Sequence, residues 1–268
     1  MPCQVNFANG APRAFSSSSM ENNSFRFACN GCGVRCKGRL IPLTLYETRQ
    51  WLHRGHEVAI LLEAFDELHW SSSPEEFAHA KGRAVEVTSG HASIYVIAVF
   101  AGNALNGCQN LGDNNLCGIY DERPLVCRIY PAEINPFIPL NPASKICPPE
   151  VWDEGEVLFT DRIIDPVLAK QIECSRKADR DDARAKIAVC EILGLNVAAW
   201  KGNAFTVYLL DREQLLDAFV FYDALMRASQ IRTDWKVRVD IPVLRQRLKQ
   251  AGVALDGQEG GDYIFHPL

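Results

Sequence analysis

The sequence has no apolar run approaching the roughly 18 to 20 residues that a membrane-spanning helix needs, and its longest apolar stretch, Ile94 to Ala101, reads as a buried strand. No membrane partner is expected. Nor is there a basic block long enough to follow a phosphate backbone: 28 Lys and Arg stand against 33 Asp and Glu, a net charge of -5, so nucleic acid is not an expected partner either. A Gly-rich phosphate loop, a Ser-His-Asp set and a zinc-protease helix are all missing, and none of those active-site types is expected. There is no internal repeat, and a composition of 47% hydrophobic and 23% charged residues excludes disorder, collagen and coiled coil as descriptions of the whole. Met1 to Ser19 carries only Arg13 as a positive charge and no apolar segment, so no secretory signal is read there, with Met20 an alternative start. The expectation is a cytoplasmic protein.

What the chain has in excess is cysteine, ten in all. A chain of 268 residues can bury a core without disulfide staples, and in a reducing compartment clustered cysteines are more often metal ligands or redox groups. Seven fall into two groups, Cys29-x2-Cys32-x3-Cys36 in one loop and Cys108, Cys117, Cys127 and Cys147 further on. In the first group Gly31 and Gly33 permit the backbone angles that turn two sulfurs toward one ion. Flanks of Gly, Asn, Arg and Pro are not the flanks of inert core thiols. From Cys108 to Pro149 regular patterning disappears, and a compact domain seldom keeps so long an irregular stretch unless something holds it. A metal would do so, joining the loop near residue 30 to residues 108 to 147 as one site or two adjacent ones.

Thiolates suit zinc and iron-sulfur clusters alike. The order Cys-x2-Cys-x3-Cys is the reverse of the run that marks radical enzymes using S-adenosylmethionine, whereas Cys147-Pro148 repeats the Cys-Pro step of bacterial ferredoxins and tilts the reading toward iron. Cys3, Cys174 and Cys190 have no partner at ligand spacing, and the last two lie in helical patterns where they are expected to pack.

Two segments carry a resemblance: Phe27-Ala-Cys29-Asn-Gly-Cys32-Gly33-Val-Arg35-Cys36-Lys-Gly38, and Cys117-Gly-Ile-Tyr120-Asp-Glu-Arg123-Pro124-Leu-Val-Cys127-Arg128-Ile-Tyr130-Pro131. Over about Phe25 to Pro149 the chain resembles the YkgJ family of cysteine-cluster proteins, whose domain is described as zinc- or iron-chelating. The resemblance implies metal ligation by Cys29, Cys32, Cys36, Cys108, Cys117, Cys127 and Cys147. The family's first motif usually ends in a Cys-Cys pair, and here the first of that pair is Arg35. If eight cysteines make two four-thiolate sites, this chain has one complete site and one with an open position. If they make one four-iron cluster, the loss is without effect. Flagellin lysine N-methylase resembles the same family and is thought to use an iron-sulfur cluster in methyl transfer. The resemblance therefore permits an iron-sulfur oxidoreductase or methyl-transfer enzyme without naming its small-molecule or protein substrate. The expected cofactor is an iron-sulfur cluster of the 4Fe-4S type, with zinc in a protein-interaction module as the rival.

Arg35, Arg123 and Arg128 lie beside cysteines, where guanidinium groups suit an anionic cofactor or substrate; the competing role is charge balance through Asp121 or Glu122. Tyr120 and Tyr130 are expected to pack over the site, with Pro124 and Pro131 fixing the backbone around Cys127. His53, His56 and His69 are better read as exposed or capping residues than as ligands, and Asp179, Asp181 and Asp182 as a solvated helix start.

The fold expected is α+β: a metal-stabilised irregular cysteine-rich core with short strands and helices, then a mostly helical C-terminal part. In chain order this gives a loose tail over 1–24, a cysteine-cluster domain over 25–150 and a helical region over 151–268. Thr44 and Glu47 sit at capping-box spacing before Leu45, Trp51 and Leu52, with Gly55 as the stop. Ser73-Pro74 opens a second helix, and Ala84–Thr88 and Ala92–Ala101 make a hairpin. Beyond, Asp165-Pro166 opens one helix and Gly194 closes another. Asp211 to Arg227 puts Leu215, Phe219, Tyr222 and Met226 on one face. Trp235–Val239 reads as a strand, Ile241–Ala251 as a helix and Gly257–Gly261 as a loop.

Overall fold

The computed structural model describes residues 24–160, 162–225, 233–257 and 261–268. The tail expected before residue 24, Cys3, the alternative start at Met20, the helix position of Met226 and most of the Gly257–Gly261 loop lie outside the described residues.

The elements in chain order are β1 (Phe25–Arg26), β2 (Arg39–Leu43), α1 (Leu45–His53), β3 (Val58–Phe65), α2 (Pro74–Gly82), β4 (Val85–Ser89) and β5 (Ala92–Ala104). There follow α3 (Leu125–Ile129), β6 (Val157–Phe159), α4 (Pro166–Asp181), α5 (Ala183–Ile192), β7 (Val197–Trp200) and β8 (Ala204–Leu209). The chain then forms α6 (Arg212–Leu225), β9 (Lys236–Arg238), α7 (Pro242–Gln250) and β10 (Ile264–Pro267). No helix among the described residues is long and apolar enough to cross a membrane. The chain forms two compact units, each built from two stretches: residues 1–39 with 104–177, and residues 40–103 with 178–268. A division at residue 150 follows chain order, whereas these units interleave in sequence.

The second unit is organised on β3. Its residues Val58, Ala59, Ile60, Leu62, Ala64 and Phe65 are all buried, which is the signature of a strand covered on both faces. It pairs antiparallel with β5 from Val58↔Gly102 to Phe65↔Tyr95. On its other edge it meets β8 antiparallel at Ala59–Leu62 and β7 parallel at Glu63–Ala64. β4 and β2 extend the sheet beyond β5, β10 lies beyond β8, and β9 beyond β7. Glu63, buried within β3, is neutralised by the Lys201 ammonium, as a carboxylate in such a place must be.

Helix α1 opens with the expected capping box, Thr44 and Glu47 each satisfying the other's backbone N–H. α2 starts at Ser73 with Pro74 in its first turn, and β4 and β5 form the expected hairpin. Asp165 Oδ1 accepts from the Val167 and Leu168 N–H groups to start α4, Gly194 with φ 71° follows α5, and Leu215 and Phe219 of α6 are buried. Cys190 is buried in its helix as a free thiol, as expected, whereas Cys174, also buried, is disulfide-bonded and not simply a packed thiol. The C-terminal part is not simply helical, however. Beside α4 to α7 it supplies β7, β8, β9 and β10, four strands of the large sheet. Of these only β9 lies within a segment read as a strand, Trp235–Val239; β7 and β8 become strands by pairing with β3, and β10 by pairing with β8.

The first unit has a small core of Ile129, Ala132, Phe159, Leu168 and Ile172. Between β5 and β6 it has few regular elements: α3 and short 3-10 turns at Tyr120–Glu122, Pro142–Ser144 and Pro149–Trp152.

In the sheet unit Trp51 is buried and its indole N–H donates to the Glu57 carbonyl at 3.0 Å. A Cβ added to Gly102 would stand 2.6 Å from the Trp51 ring. Gly102→Ala is therefore expected to destabilise the protein by roughly 1–3 kcal/mol through overpacking, read as a lower denaturation midpoint at unchanged slope in urea.

Candidate metal centre

The loop holding the first three cysteines is shaped by glycine. Gly31 and Gly33 have φ of 71° and 69°, angles that L side chains rarely adopt. A Cβ on Gly31 would lie 2.7 Å from the Leu116 side chain and one on Gly33 3.0 Å from that of Asn115, so this loop lies directly against the segment before Cys117. The Asn30 side chain accepts from the Cys32 N–H at 3.3 Å, and the Cys36 N–H donates to the Gly33 carbonyl at 3.0 Å, closing the 3-10 turn Val34–Cys36.

The second group is tied to the first through the backbone. The Cys108 N–H donates to the Cys36 carbonyl at 2.6 Å. Leu111 bridges antiparallel to Cys117, and the Gly118 N–H donates to the Asn110 carbonyl at 2.7 Å, so residues 108–118 fold back and bring Cys117 near Cys108. The Asn110 amide also reaches the Cys108 sulfur at 3.9 Å. Cys127 lies in α3, whose C-cap residue Tyr130 carries the Arg35 guanidinium 4.0 Å above its ring. The Tyr130 hydroxyl lies 3.0 Å from the Cys147 sulfur. Phe27 packs edge-on to Tyr130 with ring centres 5.5 Å apart.

The thiols are close enough to oppose one another's ionisation. Burial raises the Cys36 thiol above its ordinary value, and thiolate charge at Cys108, Cys117 and Cys29 raises it further while Arg39 opposes. Cys127 is pushed up to about 12, by burial first and then by Cys108, Cys36 and Cys117, with Arg123 opposing. Five cysteines from three separated segments thus share one electrostatic neighbourhood. Burial and Arg39 lower the Arg35 pKa, against Tyr130, Cys127 and Cys147, which hold its proton. Tyr130 is raised by burial and by its bond to Cys147. Arg39 Nε is buried with no hydrogen-bond partner among the described residues.

Among the described residues no three His, Cys, Asp or Glu side chains are already disposed to hold one ion. The backbone brings the cysteines into one region, and ligation requires their sulfurs to turn inward. The donor set nevertheless fits a soft metal or an iron-sulfur cluster: it is rich in free thiols and, apart from the exposed Cys29, partly buried.

Residues 28–148 match the family model CxxCxxCC, described as a putative zinc- or iron-chelating domain. This part of the chain is similar to the CxxCxxCC family. The match is to the cysteine-cluster family that the sequence resembles, and it gives the CxxCxxCC domain a general role in metal binding. Comparison with curated proteins and with solved structures finds no match for the chain. Spelled onto this chain, the motif falls on Cys29, Cys32, position 35 and Cys36, and position 35 is Arg35.

Not every residue singled out in the sequence belongs to this neighbourhood. His53, His56 and His69 lie in the sheet unit, where His56 packs against Trp51 and His69 pairs with Asp66 at 2.8 Å. Asp179 is held by Arg83 at 2.9 Å and by the buried Lys186 at 3.5 Å, and Asp182 accepts from the Leu45 N–H at 2.7 Å. Asp182 does stand at a helix start, that of α5, but both carboxylates are engaged by the protein and not simply solvated. Arg123 and Arg128 turn to the backbone where the sequence offered Asp121 and Glu122: Arg123 Nε donates to the Tyr120 carbonyl at 2.9 Å and Arg128 Nε to that of Arg123 at 2.5 Å. Sequence reasoning passed over Arg39, whose position at the start of β2, three residues past Cys36, was the available signal.

A thiol whose folded pKa exceeds its unfolded one stabilises the fold fully below the unfolded value, and that contribution is lost as pH rises toward the folded value. For Cys127 the window runs from the ordinary thiol value of 9.0 to about 12. The metal-free protein is expected to lose stability across this range, and Cys127→Ser to flatten the loss, as denaturation midpoints measured against pH would show.

Proposed function

We propose that the CxxCxxCC domain holds an iron-sulfur cluster of the 4Fe-4S type and serves redox or group-transfer chemistry on a small-molecule or protein substrate. Its ligands are drawn from Cys29, Cys32, Cys36, Cys108, Cys117, Cys127 and Cys147. The observation that carries the reading is the shared electrostatic neighbourhood of Cys29, Cys36, Cys108, Cys117 and Cys127. Cys36, Cys108 and Cys117 are linked there by backbone bonds, so they form the rigid part of the donor set. Such a cluster supplies an electron or binds a reacting group at an iron. Cys29 is exposed, which leaves a route for a substrate to approach. Arg123, beside Cys127, and Arg128 are the groups for an anionic cofactor or substrate: each spends Nε on a backbone carbonyl.

A second reading has its own support. The first unit holds its long irregular stretch around a small core, the situation in which a structural zinc acts as the staple. In that case the domain would be a protein-interaction module.

The deciding measurement is metal and acid-labile sulfide, with an absorbance spectrum, on protein purified without oxygen and without added metal. Iron with sulfide and a brown colour is expected. Stoichiometric zinc in a colourless, redox-silent protein replaces this reading with the second, and absence of both metals removes both. Cys36→Ser is expected to lose most of the bound metal and to destabilise the first unit under either reading, checked by elemental analysis and limited proteolysis.

A further inference from the structure

The family motif places its third cysteine at position 35, and this chain places a guanidinium there. Arg35 is not an idle surface arginine. Its guanidinium lies 4.0 Å above the Tyr130 ring, and the Tyr130 hydroxyl lies 3.0 Å from the Cys147 sulfur. Among the described residues, the groups that act on its charge are Arg39, Tyr130, Cys127 and Cys147. Lys145 stands 5.7 Å from the same ring and is itself paired with Glu133.

Charge counting gives this arrangement a meaning. A divalent cation together with the thiolate lost at position 35 would bring one net positive charge to this side of the cluster, and a guanidinium brings the same. Cys147 is then served by a hydroxyl and a fixed cation. Cys36, Cys108 and Cys117, by contrast, are knit together by the Cys108–Cys36 backbone bond and the Leu111–Cys117 bridge.

We propose that Arg35 takes the place of a second metal: its guanidinium is the resident cation on the Cys147 side, the chain carries a single metal centre, and Cys147 is a hydrogen-bonded thiol outside its ligand set. The inference rests on the metal-binding reading above and narrows it.

The test uses the full chain with its centre in place, titrated with Zn(II). Metal is counted by elemental analysis, and free thiols are mapped by iodoacetamide alkylation and mass spectrometry. In the wild type, Cys147 is expected to be alkylated while Cys36, Cys108 and Cys117 are protected, with no zinc taken up beyond the resident centre. Arg35→Cys is expected to bind one further zinc per chain and to protect Cys147, while Arg35→Lys behaves as the wild type. Cys147→Ser is expected to keep the wild-type metal content. Protection of Cys147 in the wild type, loss of the centre in Cys147→Ser, or no added zinc in a folded Arg35→Cys overturns the inference. Should Arg35→Cys not fold, the alkylation map and Cys147→Ser decide it. A wild type without any metal would overturn the metal-binding reading and this one with it, whereas a metal-loaded wild type with Cys147 protected overturns this one alone.

Discussion

The cysteine-cluster unit depends on one electrostatic constraint: thiols from distant parts of the chain are gathered in one partly buried place. Burial and mutual repulsion hold Cys36 and Cys127 in the protonated form. Either protons or a metal must supply the positive charge that such a gathering needs. A metal supplies it while displacing the protons, so binding there is coupled to pH and to the local fold. The irregular backbone follows from this. Its turns are spent on bringing sulfurs together, and little is left for helices or strands.

How the sulfurs are brought together is a matter of close backbone approach. Gly31 and Gly33, both at positive φ, let the first loop approach Leu116 and Asn115, and a side chain at either position would be strained and would press on those neighbours. Arg35 and Arg39 bring cations to the edge of the same neighbourhood, and Tyr130 mediates between a guanidinium and a thiol. The unit thus sets clustered thiols beside basic side chains, which explains how an arginine can stand within a cysteine motif.

The sheet unit is held by ordinary means. β3 is buried at every position but Leu61 and makes pairs on both edges, so its only charged residue, Glu63, requires the Lys201 ammonium. The unit's stability rests on apolar burial and on contacts such as that of Trp51 over Gly102.

Local chemistry written in adjacent residues was legible in the sequence by itself: the capping box at Thr44, the Ser73-Pro74 helix start, the β4–β5 hairpin and the grouping of seven cysteines with the family they mark. Each depends on spacing within a few residues, where covalent geometry limits the outcome. Only the tertiary structure decided the rest. Val58–Phe65 is an apolar run broken only by Glu63 and without alternation, and in the C-terminal part β7, β8 and β10 become strands only by finding β3 or β8. Likewise, spacing could not say that Arg35 would lie on Tyr130, that Asp179 would be taken by Arg83 and Lys186, or which cysteines would feel each other's charge. Those outcomes depend on where the chain returns after many residues, and electrostatic and packing energies are set by that distance in space.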